Sequence, residues 1–525
     1  MANAVAESMD YAASTPQQIV LDRLVNTLLA PVDAASLVAF RIGFGLITAW
    51  WCFDDLRTGR VHELYVVPSL HFTYYLFDFI RPWSGVGMTL HFLALLLLAL
   101  CIAAGFLYRV ATVLFALGFT YFFLLDRTNY QNHYYLLTLV SWTLVLLPLN
   151  RCAAVDAFGG LAPRSDTVPA WCLWLLRFHI ALPYAFGGVA KLRADWFAGE
   201  PLRTHLASKT WLPLIGPLLT SEVTIGFFTW GGLLFDLAIV PLLLWRRTRV
   251  LAYVLCLGFH LMNSLLFDIH VFPWFMMFAT TIFFAPDWPR HVLGSRRPVL
   301  PEATARTWAT LPRWSRLTGI LLSIYCVGHL LIPLRPYLYP GDSSWTERGH
   351  HFSWRMMLRS KSSALRYYVI DPKTGKTGSV DLRRFVNLTQ LTSFSRDPEM
   401  ILHLAHFIGD EFHRQTGRDV EVRALVLTTL NGRKPELLID PHIDLAKEPR
   451  GFHVRNWILP QNEPLRPVAW SVPMQEWERH VELPPLSFLQ PQQPDRPHKP
   501  SAQSALGTSR LPPQHTPPRN EVRRS

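Results

Sequence analysis

Two long apolar stretches joined by a short basic loop decide the fold of this chain. The first, EVTIGFFTWGGLLFDLAIVPLLL, covers residues 222–244, and the second, VLAYVLCLGFHLMNSLLF, covers residues 250–267. Each has the length that a helix needs to cross the apolar core of a bilayer, about 20 residues for roughly 30 Å. The intervening loop contains the run Arg246-Arg247-Thr248-Arg249. The pattern therefore predicts a hairpin of two membrane-spanning helices.

Stretches of the same kind recur along the first two thirds of the sequence. The further candidates are 34–52, 90–107, 110–125, 133–149, 171–190, 271–286 and 317–333. Together with the hairpin they predict a polytopic α-helical membrane domain of about nine spans. A lipid bilayer is therefore the first partner that the sequence requires.

The composition changes after the last predicted span. The chain of 525 residues is 50% hydrophobic and only 17% charged, whereas soluble domains average about 25% charged residues. Most of the Leu, Phe and Trp lies in 34–335, and residues 342–480 have an ordinary soluble balance. The predicted parts are an N-terminal segment (1–30), a membrane domain (31–335), a soluble domain (336–480) and a Pro- and Arg-rich tail (481–525) that we expect to be disordered.

The predicted soluble domain has the pattern of a small α+β fold that is rich in β-structure. Asn431-Gly432, a dipeptide typical of hairpin turns, separates the last two predicted strands. Pro398 opens an apolar pattern of helical spacing, which predicts a helix over 397–416. The predicted strands are 351–359, 364–371, 376–382, 419–430 and 434–440.

Positive charge is gathered in particular loops, which favours a membrane orientation over nucleic-acid binding as its explanation. The formal net charge is +12. One side of the predicted bundle receives Arg109, Arg151, Arg164, the run 246–249 and the arginine-rich loop 287–316. Because cytoplasmic loops carry an excess of Lys and Arg, we place this side and the N-terminus in the cytoplasm. The soluble domain then faces the opposite, periplasmic or lumenal side.

The six cysteines follow neither a metal-binding nor a disulfide pattern. They are Cys52, Cys101, Cys152, Cys172, Cys256 and Cys326. No C-x-x-C spacing occurs among them, and sequence signatures of zinc sites depend on such spacings. We therefore expect buried structural thiols and no metal site.

An ionisable residue ends the predicted fifth span. His179, Pro183, Gly187 and Lys191 are four residues apart, so they share one helix face. A desolvated lysine gives up its proton more readily and can then act as a base. Gly187 and Gly188 allow close approach of another helix or a ligand. The alternative is a lysine that extends to the membrane surface and has no catalytic part.

Asn132 and His133 form a polar pair where the predicted fourth span begins. An amide and an imidazole at a helix start can orient a ligand oxygen or stabilise a developing anion. The alternative is that Asn132 caps the helix and His133 lies at the membrane surface. Spacing alone does not separate these interpretations.

A polar stripe runs along the otherwise apolar stretch 250–267. His260, Asn263, Ser264 and Phe267 follow the i, i+3, i+4, i+7 pattern of one helix face. The stripe can line a ligand site, and hydrogen bonding between neighbouring helices explains it equally well.

The predicted soluble domain opens with the basic and aromatic sequence GHHFSWRMMLRSK, residues 349–361. We expect a strand with a basic, aromatic face here. It is either part of a substrate site or an ordinary edge strand.

Seven segments, in their order along the chain, resemble the vitamin K-dependent gamma-glutamyl carboxylase family, whose membrane part is called the HTTM domain. They are FRIGFG (40–45), HFTYY (71–75), NHYYL (132–136), FGGVAKLRADW (186–196), FHLMNS (259–264), FSWRMM (352–357) and DPHID (440–444). The FSWRMM segment resembles the start of the family's lumenal domain. The resemblance extends over roughly residues 30 to 465.

The resemblance implies an enzyme that couples two reactions. In this family a lysine deprotonates reduced vitamin K, and oxygen converts the hydroquinone into an epoxide. The strong base formed on the way removes a γ-proton from a protein-bound glutamate, which takes up carbon dioxide. The implied cofactors are a reduced isoprenoid quinone of the menaquinol or phylloquinol type, O2 and CO2, and the implied partner is a glutamate-containing protein or peptide.

The resemblance also assigns roles to residues of this chain. The lysine corresponds to Lys191, and the adjacent amide and imidazole correspond to Asn132 and His133, with His133 stabilising the oxyanion of the quinone. We expect contacts with the quinone from Tyr184, Gly187, Gly188, His260 and Asn263. We expect contacts with the carboxylated substrate from Trp354 and Arg355.

The chain also departs from the animal enzymes of this family. Those enzymes carry a disulfide between the membrane part and the lumenal domain, and this chain has no cysteine after Cys326. The tail expected to be disordered stands where further folded sequence would be. Two alternatives therefore remain beside the carboxylase: a quinol epoxidase without peptide carboxylation, and a non-enzymatic membrane receptor or assembly protein. The Ala-, Arg- and Pro-rich composition favours a bacterial source and hence an inner membrane.

Overall fold

The computed structural model describes residues 15–486, apart from 268, 297, 299 and 301–305, together with Phe488. Much of this part of the chain is helical, and the strands are concentrated near its C-terminal end. The tail that we expected to be disordered lies almost entirely outside the described residues.

The longer helices are α1 (Pro16–Leu29), α2 (Ala35–Arg57), α3 (Gly87–Ala104), α4 (Tyr108–Leu124), α5 (Asn132–Leu146), α6 (Ala170–Ala190), α7 (Glu222–Leu244), α8 (Arg249–Leu266), α9 (Phe272–Ala279), α10 (Arg313–Leu331) and α11 (Pro398–Thr416). Nine of these eleven helices, α2 to α10, coincide with the predicted apolar stretches; α11 coincides with the helix predicted over 397–416, and α1 lies in the predicted N-terminal segment. The shorter α-helices are Arg60–Tyr65, Val155–Phe158, Ala194–Phe197, Leu202–Ala207, Trp288–Val292, Ser343–Thr346, Leu388–Phe394 and Trp477–His480. Turns of 3-10 helix cover Arg127–Asn129, Gly216–Thr220, Thr280–Phe283, Ile332–Leu338, Leu382–Arg384 and Met474–Glu476.

The count of about nine spans is not confirmed. Within the described residues, six helices are long and apolar enough to cross a membrane: Ala35–Arg57, Gly87–Ala104, Ala170–Ala190, Glu222–Leu244, Arg249–Leu266 and Arg313–Leu338. The other predicted spans correspond to shorter helices. α4 has 17 residues, α5 has 15, and α9 has 8 before it tightens into a 3-10 turn.

Local sequence sets several of the helix ends. α3 ends at Gly105, whose φ of 67° lies in the left-handed region that glycine adopts without strain. At the start of α7 the side chain of Ser221 accepts a hydrogen bond from the backbone N–H of Thr224. Asp397 accepts from the N–H of Glu399 at the start of α11. These caps satisfy N–H groups that have no partner within the helix.

The helices α2 to α10 include the membrane-length helices, and we call them the membrane-type part. Within this part, α2 to α6 build the main core. Trp51 of α2 lies at its centre and contacts four aromatic rings, those of Phe92, Phe119, Phe122 and Tyr134, at centroid distances of 5.1–5.6 Å. At one end of this core Arg41 is fully buried and donates hydrogen bonds to four backbone carbonyls. A buried charge is tolerated when it is hydrogen-bonded in this way.

α7, α8 and α10 instead present large apolar side chains to the outside. Phe227 of α7 is 70% exposed, and Leu255 of α8 and Ile324 of α10 are exposed as well. Continuous exposed apolar surface of this kind marks contact with a membrane or a partner. These three helices are therefore the ones with the most surface for lipid.

The C-terminal region contains a four-stranded antiparallel sheet, in which Thr377–Ser379, Lys361–Ile370, Glu421–Leu430 and Glu436–Leu437 lie side by side in that order. Its strands are β3 (Lys361–Ile370), β4 (Thr377–Ser379), β5 (Glu421–Leu430) and β6 (Glu436–Leu437), and a separate short ladder joins β1 (Pro31–Asp33) to β2 (Thr167–Pro169). β3 and β5 pair along their full length, from Lys361 opposite Leu430 to Ile370 opposite Glu421. Asn431 and Gly432 both have positive φ, as the predicted hairpin turn requires.

The strand predicted over 351–359 is wrong. This segment is an irregular loop, and β3 begins only at Lys361. Phe352, Trp354 and Met357 have φ values of 63°, 54° and 53°, which place them in the left-handed region that no strand residue occupies. The backbone turns repeatedly because the side chains of this loop contact helices of the membrane-type part rather than a neighbouring strand.

The aromatic stretch between α2 and α3 packs against the C-terminal region. Phe72 is fully buried, and its ring stacks on that of Phe394 with centroids 5.2 Å apart. Tyr75 contacts Phe452 edge to face at 5.2 Å. Within 54–88 the longest helical piece after α2 is Arg60–Tyr65, which is too short to cross a bilayer.

Candidate functional site

A large cavity lies where the start of α5, the helices α6, α7 and α8, and the loop 349–360 meet. Its volume is about 960 Å³, at the upper end of the usual range for ligand pockets. The polar residues that line it include Arg127, Asn132, His133, Tyr184, Lys191, Asp236, His260, Asn263, His350, His351, Arg355, Arg359, Arg396 and Asp397. The cavity therefore brings together three sets of polar residues that the sequence predicts as candidates and that lie far apart along the chain. They are Asn132 with His133, Lys191, and His260 with Asn263.

Lys191 ends α6 with its side chain buried against α7. Its ammonium group forms a hydrogen-bonded ion pair with Oδ2 of Asp236 and lies 3.4 Å from the carbonyl oxygen of Gly187. Nζ also lies 5.1 Å from the ring centroid of Trp196. The two paired side chains are only 7% and 5% exposed. This geometry differs from that of a lysine that extends to the membrane surface.

The Gly187-Gly188 pair explains how Asp236 reaches the lysine. A Cβ atom at Gly188 would lie 2.7 Å from a methyl carbon of Leu237 and 3.1 Å from its backbone nitrogen. A Cβ at Gly187 would lie 3.1 Å from Oδ2 of Asp236. The absence of both side chains lets α7 pack closely on α6. Neither glycine lines the cavity, so the structure does not place them in contact with its contents.

A second polar pair joins α6 to α8. The hydroxyl of Tyr184 lies 2.7 Å from Nε2 of His260 and 3.3 Å from the sulfur of Cys256. Nδ1 of His260 is buried and has no hydrogen-bond partner among the described residues. His260 thus forms a hydrogen bond to another helix, as one interpretation of the polar stripe predicts, and the residue also lines the cavity. Asn263 and Phe267 also line the cavity, and Ser264 does not.

His133 lies in the first turn of α5 and lines the cavity from another direction. Its Nε2 atom is buried without a partner in the described part of the chain. The imidazole stacks on the ring of Phe272 at 5.7 Å, and the ring of His260 lies edge-on to the same phenyl group at 6.1 Å. The two histidines with unpartnered nitrogens thus flank one aromatic ring.

Asn132 is the first residue of α5 and does not cap it. The N-cap residue is Gln131, whose side chain makes no capping hydrogen bond. Oδ1 of Asn132 accepts a hydrogen bond of 3.1 Å from the hydroxyl of Tyr130. Several N–H groups at this helix start therefore lack a side-chain cap, and such groups attract negative charge.

The wall of the cavity that the C-terminal region contributes is cationic. Arg355 is 6% exposed, and no described residue forms a hydrogen bond or ion pair with its guanidinium group. Burial, followed by the charge of Arg193, lowers the pKa of Arg355 to about 10. Arg396 lines the same wall, and its buried Nε atom also has no partner within the described residues. An unpaired buried cation is costly, so this wall is arranged to receive an anion.

The other charged groups of this wall are already paired. Arg359 contacts Glu347 at 2.8 Å, and Arg127 contacts Asp397 at 2.9 Å. Burial alone would raise the pKa of Asp397, but the charges of Arg127, His351 and Lys361 and the hydrogen bond from the N–H of Glu399 together outweigh it, so that the pKa is lowered. These pairs hold the wall in place and leave Arg355 and Arg396 for a ligand.

Trp354 does not reach the cavity. It is 1% exposed, and its ring lies against Tyr135 of α5 with centroids 4.9 Å apart. Its neighbour Arg355 faces the cavity instead. Trp354 thus anchors the loop that carries Arg355.

Sequence reasoning missed Asp236 and Arg396. A signal for Asp236 was present, because an acidic residue in the middle of an apolar stretch is costly and tends to be functional. Arg396 lies between the short helix Leu388–Phe394 and α11, where an arginine is unremarkable in sequence. Among the described residues, no group of three or more His, Cys, Asp and Glu is placed to hold a metal ion, and all six cysteines are free.

Comparison with known proteins agrees with this architecture. A family model of the HTTM domain matches residues 29–288, and a model of the lumenal domain of vitamin K-dependent gamma-carboxylase matches residues 314–464. No solved structure matches the chain. The two family matches follow one another and together take in most of the sequence, including every polar residue that lines the cavity. This chain is therefore a multi-pass membrane protein of the vitamin K-dependent gamma-glutamyl carboxylase family.

Proposed function

We propose that the protein couples the oxygen-dependent epoxidation of a reduced vitamin K-type quinone to the carboxylation of glutamate in a peptide or protein. One observation carries the proposal. The buried pair Lys191–Asp236 shares a cavity with the unpartnered nitrogens of His133 and His260 and with the unpaired Arg355. The cavity thus combines a proton acceptor, hydrogen-bonding groups for an oxygen atom and a cation for a carboxylate.

The cavity fits a prenylated quinone. Apolar side chains of α7 and α8 line one part of it, and His133 and His260 offer hydrogen-bonding atoms at fixed points. Pockets for such molecules are mostly apolar with a few placed polar groups. When bound, a reduced quinone of the menaquinol or phylloquinol type supplies, with O2, the strong base that takes a γ-proton from glutamate.

In this proposal Lys191 accepts a proton from a phenolic hydroxyl, and Asp236 makes the lysine available. An amine can accept a proton only after it has lost its own, and the hydrogen bond to Oδ2 provides a place for that proton. A neutral amine beside a neutral acid competes well with an ion pair where little water solvates the charges. The pair therefore holds one proton that moves between Nζ and Oδ2.

His133 and the start of α5 stabilise the negative charge left on an oxygen after deprotonation. Nε2 of His133 has no hydrogen-bond partner among the described residues, so in this proposal it donates to that oxygen. The uncapped first turn adds the partial positive charge of a helix N-terminus. His260, fixed by Tyr184, and Asn263 orient the opposite side of the ring.

Arg355 and Arg396 bind the carboxylate of the glutamate substrate. Charge-assisted hydrogen bonds between a guanidinium group and a carboxylate are short and directional. Held there, the glutamate presents its γ-carbon to the cavity, where it loses a proton and forms a carbon–carbon bond with CO2. Exclusion of water by the surrounding buried side chains protects that carbanion from reprotonation.

The arrangement in the membrane follows from the same assignment. We place the catalytic membrane domain at 31–335 and the substrate-presenting domain at 336–480. The arginine-rich loops, including 246–249, lie on the cytoplasmic side with the N-terminus. The cavity wall that carries Arg355 then lies toward the periplasmic or lumenal side, where a secreted peptide is accessible.

The test combines both half-reactions in one assay. Purified protein in lipid nanodiscs is incubated with reduced menaquinone, O2, labelled bicarbonate and a glutamate-containing peptide, and quinone epoxide and label in the peptide are measured. We expect both products from the wild type and neither from Lys191→Ala. The matched control is Lys373→Ala, which removes an exposed lysine in the turn between β3 and β4 and should leave both products unchanged.

Each outcome of this assay separates the alternatives. Epoxide without label in the peptide would favour a quinol epoxidase that acts without carboxylation. No epoxide from the wild type, or an equal yield from Lys191→Ala, would contradict the proposal. If neither quinone epoxide nor labelled peptide forms and a pull-down recovers a stable protein partner, the result would favour a receptor or assembly protein.

A further inference from the structure

The helices α7 and α8 form an open groove on the outside of the molecule. Several of their residues both line the cavity and are exposed at the surface. They are Phe227, Gly231, Leu234, Ala238, Leu255, Gly258 and Met262. From Phe227 to Leu242, the first and last cavity residues of α7, the helix rises about 22 Å. The cavity is thus continuous with a long apolar surface that faces outward.

Two glycines keep this groove open. A Cβ atom built at Gly231 or at Gly258 meets no atom within 4 Å. Most glycines in membrane helices allow a neighbouring helix to approach, as Gly187 and Gly188 do here. Gly231 and Gly258 have no such neighbour, so helix packing does not account for them. Their effect is to leave space along the line where α7 and α8 meet.

An aromatic pair connects the groove to the polar end of the cavity. The rings of Phe235 in α7 and Phe259 in α8 are stacked with centroids 3.9 Å apart and an interplanar angle of 16°. Phe235 also contacts Tyr184 edge to face at 5.9 Å, and Tyr184 bonds to His260. Asp236 follows Phe235 in the same helix. A linear apolar chain in the groove therefore ends directly at the groups that handle the proton.

We propose that the groove between α7 and α8 is the binding site for the isoprenoid chain of the quinone and the lateral opening through which it enters from lipid. This inference rests on the proposed function. The chain lies past Gly231 and Gly258 and across Phe235 and Phe259, with its ring held at Lys191. A flexible apolar chain suits the groove because the walls offer no hydrogen-bonding group outside the polar end of the cavity.

Leucine substitutions at the two glycines test the groove. Leucine favours helix more than glycine does, and no neighbour crowds either position, so Gly231→Leu and Gly258→Leu should fold. Each fills the groove. We expect KM for a reduced menaquinone with four isoprenoid units to rise about tenfold, and KM for reduced menadione, which has no chain, to stay unchanged. The control is Gly226→Leu in α7, which has equally open surroundings and does not line the cavity.

The outcomes distinguish this inference from the proposed function. An unchanged KM for the long-chain quinol would overturn the groove as its site, and so would an equal rise for both quinols or the same rise in Gly226→Leu. If the wild type has no epoxidase activity, a menaquinone analogue with a photoreactive group at the end of its chain replaces the assay. Crosslinks to peptides of α7 and α8, lost in Gly258→Leu, would support the groove, and crosslinks elsewhere would overturn it.

Discussion

At the scale of single residues, the pair Lys191–Asp236 has the greatest consequence for chemistry. A lone buried lysine would be neutral but poorly held, whereas a lysine paired with a carboxylate is held in position at the cavity wall. In this pair the positive charge of Lys191 and the negative charge of Asp236 compensate each other. Breaking such a pair leaves an uncompensated charge in a dry environment.

Replacing Asp236 tests the pair directly. Asp236→Asn keeps the size of the side chain and removes the group that takes the lysine's proton, so we expect kcat for epoxidation to fall about 10²- to 10⁴-fold. Asp236→Glu should retain part of the activity, because the carboxylate remains. Quinone binding, measured by equilibrium binding of the oxidised form, serves as the control for folding. Full activity of the Asp236→Asn variant would show that Asp236 does not take up the proton of Lys191.

Arg355 provides a second prediction at this scale. Arg355→Met preserves most of the buried apolar contact and removes the cation. Because a hydrogen bond to a charged group contributes about 1.5–3 kcal/mol, we expect KM for the glutamate peptide to rise about tenfold to a hundredfold. KM for the quinol should stay within about twofold, since Arg355 belongs to the other wall. An equal change in both constants would indicate a general loss of structure instead.

At the scale of elements, the contact between α6 and α7 brings the pair together. The two adjacent glycines have different neighbours, since Gly188 faces the body of Leu237 and Gly187 faces the carboxylate of Asp236. A single helix contact thus combines a packing role and a positioning role. Substituting alanine for Gly188 and for Gly187 in turn tests the packing role and the positioning role separately.

Alanine at each glycine should give different results. Gly188→Ala places a methyl group 2.7 Å from Leu237, and overpacking of this kind costs about 1–3 kcal/mol, so the melting temperature should fall. Gly187→Ala places it 3.1 Å from Oδ2 of Asp236, so kcat should fall with less effect on melting. Thermal unfolding and epoxidation are measured for both, with Gly226→Ala as the open-position control. The reverse pattern would refute this division of roles.

At the scale of the whole molecule, the sequence KLRADW (191–196) joins the site to the docking of the C-terminal region. Arg193 pairs with Asp342. Asp195 receives hydrogen bonds of 2.7 Å from Arg433 and from Asn431 of the β5–β6 turn. Lys191 and the contacts that dock the C-terminal region are therefore only a few residues apart.

The docking contacts should make stability sensitive to acid. Burial alone would raise the pKa of Asp195, but hydrogen bonds from Arg433 and Asn431 outweigh it and lower the pKa below its ordinary value of 3.8. A carboxyl with a lowered pKa stabilises the fold above its unfolded pKa, and this stabilisation is lost as pH falls through the folded value. We expect the melting temperature to drop below about pH 4, and Asp195→Asn to show a smaller drop.

Removing the cation of this docking pair gives the matching prediction at neutral pH. Arg433→Met leaves Asp195 buried without its partner, which costs about 3–5 kcal/mol. Hydrogen exchange should then increase on both sides of the contact, in the segment around 195 and in the β5–β6 turn. Arg418→Met, which removes a largely exposed arginine, is the control. Unchanged exchange in Arg433→Met would mean that the pair does not dock the two parts.

The sequence by itself determined the features that depend on local pattern. Apolar length identified nine of the described helices, six of which are of membrane length; the Asn431-Gly432 turn identified the pairing of the last strands, and Pro398 placed α11. These succeed because hydrophobic periodicity and turn chemistry act over a few neighbouring residues. The family resemblance located Lys191, Asn132, His133 and His260, and the structure brings these four residues to one cavity.

Only the tertiary structure decided which groups face one another. The partner of Lys191 is 45 residues away along the chain, and the close approach of α7 to α6 depends on two glycines that sequence alone left without a specific neighbour. The composition of 351–359 predicts a strand, but contacts with distant helices give this segment its positive φ values instead. Contacts between residues far apart in sequence override local preference, since burial and pairing of charges involve more free energy than strand propensity does.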